Sequence, residues 1–241
     1  MRCSGTKTAF VVCLSGGVDS TTLLNLVIRD IQCTQIMAVT FKYPSKHNQL
    51  EREAAQRVAD HFGVQLITVD VTSFFHGMNS PLISKNVPVP EGHYTDDSMK
   101  STVVPMRNNI FANCAVSRAV DYFGDDFFIV LGMGVHAGDH PIYPDCRPDS
   151  IHALTESVTH ASNMQAKVFA PFLHSEKWEI IEEGVKMETP YQLTRTCYKE
   201  NELACGKCGS CVERLESFAR VGVEDPIEYV KNPLDKNLKL V

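Results

Sequence analysis

Serine, glycine and aspartate residues that could bind phosphate and a cation are concentrated in one segment, SGGVDS, at residues 15–20. Gly16 and Gly17 have no Cβ, so the backbone can turn tightly there and approach a bound group. Side-chain hydroxyls and free N–H groups at a helix start are typical ligands of phosphate oxygens. A carboxylate would repel phosphate unless a cation lay between them, so we expect Asp19 to bind Mg²⁺. The segment therefore predicts a phosphate-binding loop.

The residues at the helix start distinguish this loop from the Walker type, in which a lysine precedes the Ser or Thr that opens the helix. Here Asp19 precedes Ser20, and the loop has no lysine. A tight strand-to-helix turn without a ligand is the alternative, since Gly-Gly pairs are common. Because the complete string stands between an apolar run and a helical repeat of Leu and Val, we favour the phosphate site.

Four cysteines fall within fifteen residues, with the spacing C-x7-C-x2-C-x2-C. Short Cys-x-x-Cys spacings let sulfur atoms converge on one tetrahedral Zn²⁺ at about 2.3 Å, and four thiolates close its coordination shell. The predicted ligands of one structural zinc ion per chain are Cys197, Cys205, Cys208 and Cys211. An iron–sulfur cluster or a redox-active cysteine pair is the alternative use of these residues.

Another polar group follows an apolar run at residues 127–133. Carboxylates can accept hydrogen bonds from the amidine-like N–H edge of a heterocycle, and an arginine can bind a carboxylate. Cys146 could be a nucleophile, or a small buried residue. The glycines here do not fit G-x-G-x-x-G, so a dinucleotide site is not predicted. The candidate substrate ligands are Gly134, His136, Asp139, Tyr143, Asp145, Cys146 and Arg147.

Two basic residues are candidates for stabilising negative charge. Arg107 stands just before a helix predicted over residues 110–123, and Lys177 lies near the start of a helix that opens at Ser175, its predicted N-cap. A guanidinium can bind phosphate or a carboxylate bidentately. Spacing alone also allows each residue to be a solvated charge.

Short apolar strands alternate with amphipathic helices along the sequence. Strands are predicted at residues 9–14, 35–41, 64–71, 127–133 and 168–172, and helices at 20–30, 50–62, 110–123, 175–185 and 212–221, with a further helix capped near Ser150. This alternation predicts an α/β fold with a parallel sheet and helices on both faces. Ligands of such sheets bind at the carboxyl ends of the strands.

The domain organisation follows from these elements and from one irregular segment. We expect a phosphate-binding α/β domain over residues 1–190 and a small C-terminal zinc-binding subdomain over residues 191–241. Residues 73–104 are rich in proline and lack periodicity, which is typical of a substrate loop. A disordered insertion is the alternative, although His, Tyr and Met are poor disorder formers.

Composition limits the classes of partner and the location. The 241 residues are 44% hydrophobic with a net charge of −6 and no block of Lys or Arg, so we expect a small-molecule substrate rather than direct nucleic-acid binding. No apolar run is long enough for a transmembrane helix, so no membrane is expected. Nine cysteines without a secretory signal favour reduced thiols and therefore the cytoplasm.

Several of these strings together resemble a known family. SGGVDS resembles the signature of the PP-loop ATP pyrophosphatases, which bind ATP on a Rossmann-like, adenine-nucleotide-hydrolase-like sheet and commonly activate a carbonyl or carboxyl oxygen by adenylation. VPVPEGHYTDDSMKSTVVPMRN, YPDCRPDSIHA and CGKCGSCVERLESFARVGVEDPIEY follow in order and resemble the bacterial 7-cyano-7-deazaguanine synthases. The resemblance covers most of the chain.

This resemblance implies an ATP-dependent ligase that converts 7-carboxy-7-deazaguanine and ammonia to 7-cyano-7-deazaguanine (preQ0), a precursor of queuosine. ATP, Mg²⁺ and one Zn²⁺ are the implied cofactors, and a homodimer is the implied assembly. Asp19, Ser20, Lys177 and Arg107 would be catalytic, while Asp139, Asp145 and Arg147 would hold the deazaguanine. The nucleotide would be bound by Leu14, Ser15, Gly16, Gly17, Val18, Asp19, Ser20, Thr21, Thr22, Leu23 and Leu24.

One segment departs from the family pattern, and other functions remain open. Residues 42–47, KYPSKH, keep the family's tyrosine and histidine but lack its glycine, glutamine and arginine. A diverged relative that acts on another deazaguanine or amine is therefore an alternative. A tRNA-modifying PP-loop enzyme would need a basic face or an RNA-binding domain. A zinc-stabilised binding protein without catalysis would tolerate a degraded SGGVDS loop.

Overall fold

The computed structural model describes residues 7–31 and 35–230. Five parallel strands form one sheet in the order β3-β2-β1-β4-β5, which confirms the predicted α/β class. The strands are β1 (Lys7–Cys13), β2 (Gln35–Lys42), β3 (Gln65–Asp70), β4 (Phe127–Gly132) and β5 (Ala166–Phe169). The helices are α1 (Val18–Asp30), α2 (Asn48–Phe62), α3 (Thr72–Phe75), α4 (Arg107–Phe123), α5 (Pro148–Ala161), α6 (Lys177–Lys186) and α7 (Gly209–Val221).

The strand order places a topological switch point between β1 and β4. The chain begins at β1 in the centre, moves outward to β2 and β3, and then crosses back to β4 on the other side of β1. The loops that follow β1 and β4 therefore leave the sheet in different directions and open a crevice at its carboxyl edge. SGGVDS follows β1, and residues 133–147 follow β4.

Apolar side chains cover both faces of the sheet, as the continuous apolar strands predict. On one face, Ala9 and Val11 of β1 pack in a core cluster with buried residues of α4 and α5. On the other face, Phe10 and Val12 pack with buried residues of α1, α2 and α6. Helices on both faces are thus confirmed. No helix in the described ranges is long and apolar enough to cross a membrane.

Most predicted boundaries agree with the structure to within about three residues, and two predicted N-caps, Ser150 and Ser175, were wrong. α5 begins at Pro148 rather than after Ser150. Proline fits the first turn of a helix, because a backbone N–H at that position would have no intrahelical acceptor. α6 has Glu176 rather than Ser175 as its N-cap, in a capping box with Glu179. Gly63 follows α2 in the left-handed region, and the helix ends at the predicted residue 62.

The segment from Ser73 to Val104 is ordered against the rest of the chain. It contains the end of α3 and a short 3₁₀ helix at Asp97–Thr102. Its buried side chains Leu82, Ile83, Val89 and Val104 belong to the same core cluster as β1 and α4. Apolar anchors at irregular spacing therefore fix a segment in which no periodicity was visible.

The chain after residue 190 shares this core. Cys197, Ala204, Cys205, Cys208 and Cys211 pack in the cluster on the α4 side of the sheet. Within α7, the fully buried Arg214 donates from Nε to Asp225 Oδ2 at 2.7 Å. This pair joins α7 to the segment that follows it. Residues 231–241 of the predicted C-terminal subdomain lie outside the described residues.

Candidate active site

A cavity of about 220 Å³ lies at the carboxyl edge of the sheet, at the switch point. Its lining includes the ends of β1 and β2 and the loops that follow β1, β2 and β4. The first turns of α1, α2, α4, α6 and α7 also contribute residues. The N-terminal ends of five helices therefore border one cavity, and the positive end of a helix dipole favours a bound anion.

The SGGVDS loop forms one wall. Gly16 has φ +77°, and a Cβ there would lie 2.4 Å from the backbone N of Ala55, so only glycine fits. Ser15 Oγ lies 3.1 Å from Ser20 Oγ and accepts a hydrogen bond from Gly17 N–H at 3.2 Å. These contacts hold both hydroxyls at the cavity. Because α2 packs against the Gly16 turn, the loop has a rigid support.

The predicted nucleotide ligands divide into two groups. Those that line the cavity are Leu14, Ser15, Gly17, Val18, Asp19 and Ser20. Gly16 shapes the turn, while Thr22 Oγ1 is hydrogen bonded to the Tyr191 hydroxyl at 2.8 Å. Leu23 and Leu24 are fully buried in the core on the α1 side of the sheet, and Thr21 is also fully buried. The structure therefore brings the first part of the segment to the cavity and the last part into the protein interior.

Lys177, the first residue of α6, lies between two carboxylates. Its Nζ is 2.8 Å from Glu213 Oε2 and 3.4 Å from Asp19 Oδ2. Burial alone would lower the pKa of Lys177, but Asp19, Glu213 and Asp139 outweigh burial and raise it. Lys177 is therefore a fixed positive charge beside the phosphate-binding loop. The structure thus brings together Lys177 and Asp19, which are two of the four predicted catalytic residues.

His136 and Asp139 lie on the β4 side of the same group. His136 is buried, and its Nδ1 accepts a hydrogen bond from Gly138 N–H at 3.1 Å, which leaves the ring proton on Nε2. That Nε2 is 3.6 Å from Asp139 Oδ2 and 3.9 Å from Asp19 Oδ2. Burial raises the pKa of Asp139, although His136 and Lys177 oppose the rise. Gly134 packs close to the backbone of Asp19, where a Cβ would lie 3.1 Å from its carbonyl carbon.

Arg107, the other predicted basic residue, opens α4 at the cavity. Met106 before it has φ +60°, and this left-handed conformation turns the chain into the helix. The side chain of Asp145 accepts a hydrogen bond from Asn108 N–H at 2.9 Å, which stabilises the helix start. Tyr43, Tyr198 and Tyr143 interact electrostatically with the guanidinium. Arg107 is therefore a positive charge among tyrosines at the cavity.

The remaining predicted substrate ligands are divided between several places. Cys146 is buried, lines the cavity and accepts a hydrogen bond from the side-chain amide of Asn108 at 3.1 Å. Tyr143 lines a smaller adjoining cavity. Asp145 supports α4, as described above. Arg147 is exposed and donates from Nε to the carbonyl of His140 at 2.9 Å, away from both cavities.

Sequence reasoning missed several polar residues of the cavity, among them Glu51, Arg195, Tyr198, Ser210 and Glu213. Glu51 lies in the first turn of an amphipathic helix, where an acidic residue is common. The other four flank the cysteines, and this proximity was the available signal. Arg195 N–H donates to the carbonyl of Gly16 at 2.8 Å, so the segment before Cys197 is joined directly to the phosphate-binding loop.

The four predicted metal-ligating cysteines come together in one buried group, here called the cysteine centre (Cys197, Cys205, Cys208 and Cys211). Their Sγ atoms all lie within 4.8 Å of one another. Cys211 Sγ is 3.9 Å from Cys205 Sγ and 3.5 Å from Cys208 Sγ. Sulfurs placed tetrahedrally around one Zn²⁺ are about 3.8 Å apart, so the group fits a single ion. An iron–sulfur cubane places several atoms between its thiolates and needs a wider group.

Backbone N–H groups point at the sulfur atoms. Cys197 Sγ accepts from Lys199 N–H and Cys205 N–H, both at 3.4 Å. Cys205 Sγ accepts from Lys207 N–H at 3.4 Å and Cys208 N–H at 3.3 Å. Such donors favour thiolate over thiol, which is the form that binds a metal. The donor set therefore fits a closed, four-coordinate metal site.

The chain is similar to several known proteins. The family model described as queuosine biosynthesis protein QueC matches residues 9–222. The 7-cyano-7-deazaguanine synthases of Marinomonas sp. and Caldicellulosiruptor saccharolyticus are each 42% identical over 219 residues, which is 91% of this chain and 97% and 94% of theirs. Among solved structures, the NMN synthetase from Francisella tularensis aligns over 91% of this chain and 79% of its own, with a TM-score of 0.46 and 11% identity. The match of the family model and the identity to these relatives show that the chain belongs to the QueC family of 7-cyano-7-deazaguanine synthases.

Proposed function

We propose that this protein is an ATP-dependent ligase that converts 7-carboxy-7-deazaguanine and ammonia to 7-cyano-7-deazaguanine. The observation that carries the proposal is the convergence of the SGGVDS loop, Lys177 and Arg107 on one cavity. The chain's identity to proteins named as 7-cyano-7-deazaguanine synthases over 91% of its length supports the choice of substrate.

ATP would lie with its phosphates at the SGGVDS loop. Ser15, Gly17 and Ser20 offer hydroxyl and N–H donors, and the α1 dipole adds positive potential. Leu14 and Val18 border the same site, and Gly16 provides the turn that aims these donors. Asp19 is the residue that would hold Mg²⁺, and the bound ion would neutralise phosphate charge.

The first chemical step is activation of the substrate carboxylate. A carboxylate oxygen attacks the α-phosphorus of ATP, and the bond from that phosphorus to the bridging oxygen of pyrophosphate breaks. An acyl adenylate and pyrophosphate result. Lys177 and Arg107 stabilise the negative charge that develops on the transferred and departing groups. Their fixed positions make this stabilisation available without reorganisation of solvent.

Nitrogen is added in the second stage. Ammonia attacks the acyl carbon, AMP leaves with its oxygen, and loss of a proton gives the amide. A second adenylation, now of the amide oxygen, releases pyrophosphate and one N–H proton. The C–O bond then breaks, AMP leaves with that oxygen, and loss of the remaining N–H proton gives the nitrile. Gly134, His136, Asp139 and Cys146 line the cavity where these steps would occur, and we assign them to substrate contact. Tyr143 borders the adjoining cavity, and Asp145 would support the start of α4 through Asn108.

We also propose that the cysteine centre holds one structural Zn²⁺ per chain. Four thiolates leave the ion no open position for substrate, so it would stiffen the segment that carries Tyr198, Ser210 and Glu213. The family resemblance further supports a homodimer, which light scattering would test. Reduced thiols at this centre are consistent with a cytoplasmic enzyme.

Mass spectrometry of 7-carboxy-7-deazaguanine incubated with the protein, MgATP and ¹⁵N-ammonium tests the proposal. We expect ¹⁵N-labelled nitrile from the wild type and none above background from Asp19→Ala. Asp30→Ala, an exposed change at the other end of α1, is the matched control and should retain wild-type turnover. Consumption of ATP without nitrile would contradict the assigned acceptor, and absence of ATP turnover would contradict an enzymatic role.

A further inference from the structure

Glu51 is a cavity residue to which the mechanism above gives no role. It lies in the first turn of α2, and 21% of its side chain is exposed. Its Oε1 is 3.4 Å from Nε2 of His47, which is itself almost fully buried and hydrogen bonded to Ser45 Oγ at 3.0 Å. A carboxylate held in this way inside a nucleotide-binding cavity would repel phosphate. It therefore favours a ligand that donates hydrogen bonds over a phosphate group.

The surroundings of Glu51 keep its carboxylate ionised. Burial alone would raise its pKa, but His47, Arg107 and Asn48 outweigh burial and lower it. An ionised carboxylate accepts hydrogen bonds through both oxygens and donates none. Glu51 lines the cavity and keeps acceptor capacity beside its contacts with His47 and Asn48, and the Arg107 guanidinium is close enough to interact with it electrostatically.

Flat apolar walls stand beside these two charges. The rings of Phe41 and Phe111 are stacked with centroids 4.1 Å apart, and Tyr43 packs edge-on against Phe111 at 5.3 Å. All three residues line the cavity together with Glu51 and Arg107. A planar heterocycle can pack against such rings while its polar edge meets the charged groups. The β2, α2 and α4 side of the cavity therefore has the composition of a base-binding site.

We propose that Glu51 determines specificity by accepting hydrogen bonds from the 2-amino-lactam edge of the deazaguanine, an assignment that rests on the proposed function. The ring N1–H and the exocyclic amino N–H of that edge are parallel donors, and they match the two oxygens of one carboxylate. The adjacent ring carbonyl and the 7-carboxylate continue along the same side of the base as acceptors. They match the donors of Arg107. Along one edge of the base, the two N–H donors would thus face Glu51, and the ring carbonyl and the 7-carboxylate would face Arg107.

The adenine of ATP fits this pair less well. Each hydrogen-bonding edge of adenine offers one amino donor beside one ring-nitrogen acceptor. The acceptor would face a carboxylate oxygen of Glu51, and two acceptors repel. Glu51 alone can therefore discriminate between the deazaguanine and the adenine of ATP within one cavity.

Steady-state kinetics with two substrates test this proposal. The substrates are 7-carboxy-7-deazaguanine and its analogue without the 2-amino group, 7-carboxy-7-deazahypoxanthine. We expect the wild type to prefer the parent by at least about 10²-fold in kcat/KM, since loss of a donor leaves a buried acceptor unpaired. Glu51→Gln should lower kcat/KM for the parent by about 10²-fold and reduce the preference below about 10-fold. The KM for MgATP should remain unchanged.

Glu53→Gln is the matched control, because Glu53 lies on the exposed side of the same helix and pairs with Gln49 at 3.0 Å. It should behave as the wild type. If Glu51→Gln does not fold, Glu51→Asp keeps the charge and moves the oxygens, and it should lose affinity for the parent base in equilibrium titration. Preserved discrimination in the Glu51 variants, or a change confined to the KM for MgATP, would overturn the proposal. A wild type that neither binds nor converts either base would instead overturn the proposed function.

Discussion

Lys177 and Glu213 form a buried ion pair with an Nζ–Oε2 distance of 2.8 Å, and this pair connects the nucleotide cavity to the cysteine centre. Lys177 opens α6 beside the phosphate-binding loop, whereas Glu213 lies on α7, two residues after Cys211. Any change at the cysteine centre that shifts α7 therefore moves the carboxylate that holds Lys177. The metal site and the catalytic site share one helix.

Lys177→Gln tests the catalytic side of this pair. We expect kcat to fall about 10²–10³-fold, because a fixed positive charge at the transferred phosphoryl group is lost. The free energy of unfolding should fall by about 3 kcal/mol, since Glu213 would be left buried without a cation. Urea denaturation and steady-state kinetics measure the two effects. Lys186→Gln, at the exposed end of α6, should change neither.

A double-mutant cycle with Glu213→Gln separates positioning from independent action. If Glu213 acts only by holding Lys177, adding Glu213→Gln to Lys177→Gln should lower kcat no further and should restore part of the lost stability. Additive effects of the two changes on kcat would show that Glu213 has its own role in the reaction.

Removal of the metal should affect both stability and nucleotide binding. We expect elemental analysis to find one Zn²⁺ per wild-type chain. Cys208→Ala should hold less than about 0.1 Zn²⁺ per chain, because the tetrahedral site loses one of its four ligands. The variant should melt about 10 °C lower, because structural zinc contributes directly to folding free energy. Its affinity for MgATP should fall as well, since Ser210 and Glu213 line the cavity.

The control for this prediction is Cys114→Ser. Cys114 lies on α4 and is not one of the four cysteines of the centre. It should keep its metal content and its melting temperature to within about 2 °C, as expected of a substitution away from the centre. Loss of metal from Cys208→Ala without any loss of MgATP affinity would contradict the link through α7.

The parts of this site that could be predicted from sequence are those whose ligands are close together in the chain. SGGVDS contains its own turn, hydroxyls and carboxylate, and Cys205, Cys208 and Cys211 converge by local spacing alone. The alternation of apolar strands with amphipathic helices likewise determines the sheet, because each period is a local property. These features agree with the structure for that reason.

The residues that were missed reach the cavity through tertiary packing. Glu51 and Glu213 are acidic residues on amphipathic helices, and the same pattern occurs on helices that face only solvent. Nothing in their spacing shows that both helix starts meet at the sheet edge. Arg147 shows the converse, because a residue predicted to bind substrate lies away from the cavity. It stands in a polar segment directly before Pro148, where α5 begins, and its side chain donates to the carbonyl of His140.

The thiol of Cys146 should be slow to react. Burial, with Asp139 and Asp145 nearby, raises its pKa above the ordinary value of 9.0, so the thiol stays protonated at neutral pH. Thiolate appears only as pH rises through the raised pKa, and alkylation by iodoacetamide at pH 7–9 should be at least about 10-fold slower than for a free thiol. Peptide mapping after timed labelling measures this rate at Cys146.

Activity of Cys146→Ser gives the complementary result. If Cys146 contacts substrate without attacking it, the variant should retain kcat to within about 10-fold, whereas removal of a covalent nucleophile costs far more. Rapid labelling at pH 7, together with a loss of activity above about 10³-fold, would contradict the noncovalent role and support a thioester intermediate.

Met106 carries backbone strain at the start of α4, and relief of this strain is measurable. Its φ of +60° is unfavourable for a residue with a Cβ by about 1–2 kcal/mol, whereas glycine adopts it freely. Glycine also gives the unfolded chain more freedom, which offsets about 0.4–1 kcal/mol of the gain. Because the Met106 side chain is 59% exposed, its removal loses little packing. We therefore expect Met106→Gly to raise the free energy of unfolding by up to about 1 kcal/mol, measured by urea denaturation. Met106→Ala keeps the strained φ and should be no more stable than the wild type, so greater stability of the alanine variant than of the glycine variant would contradict this account.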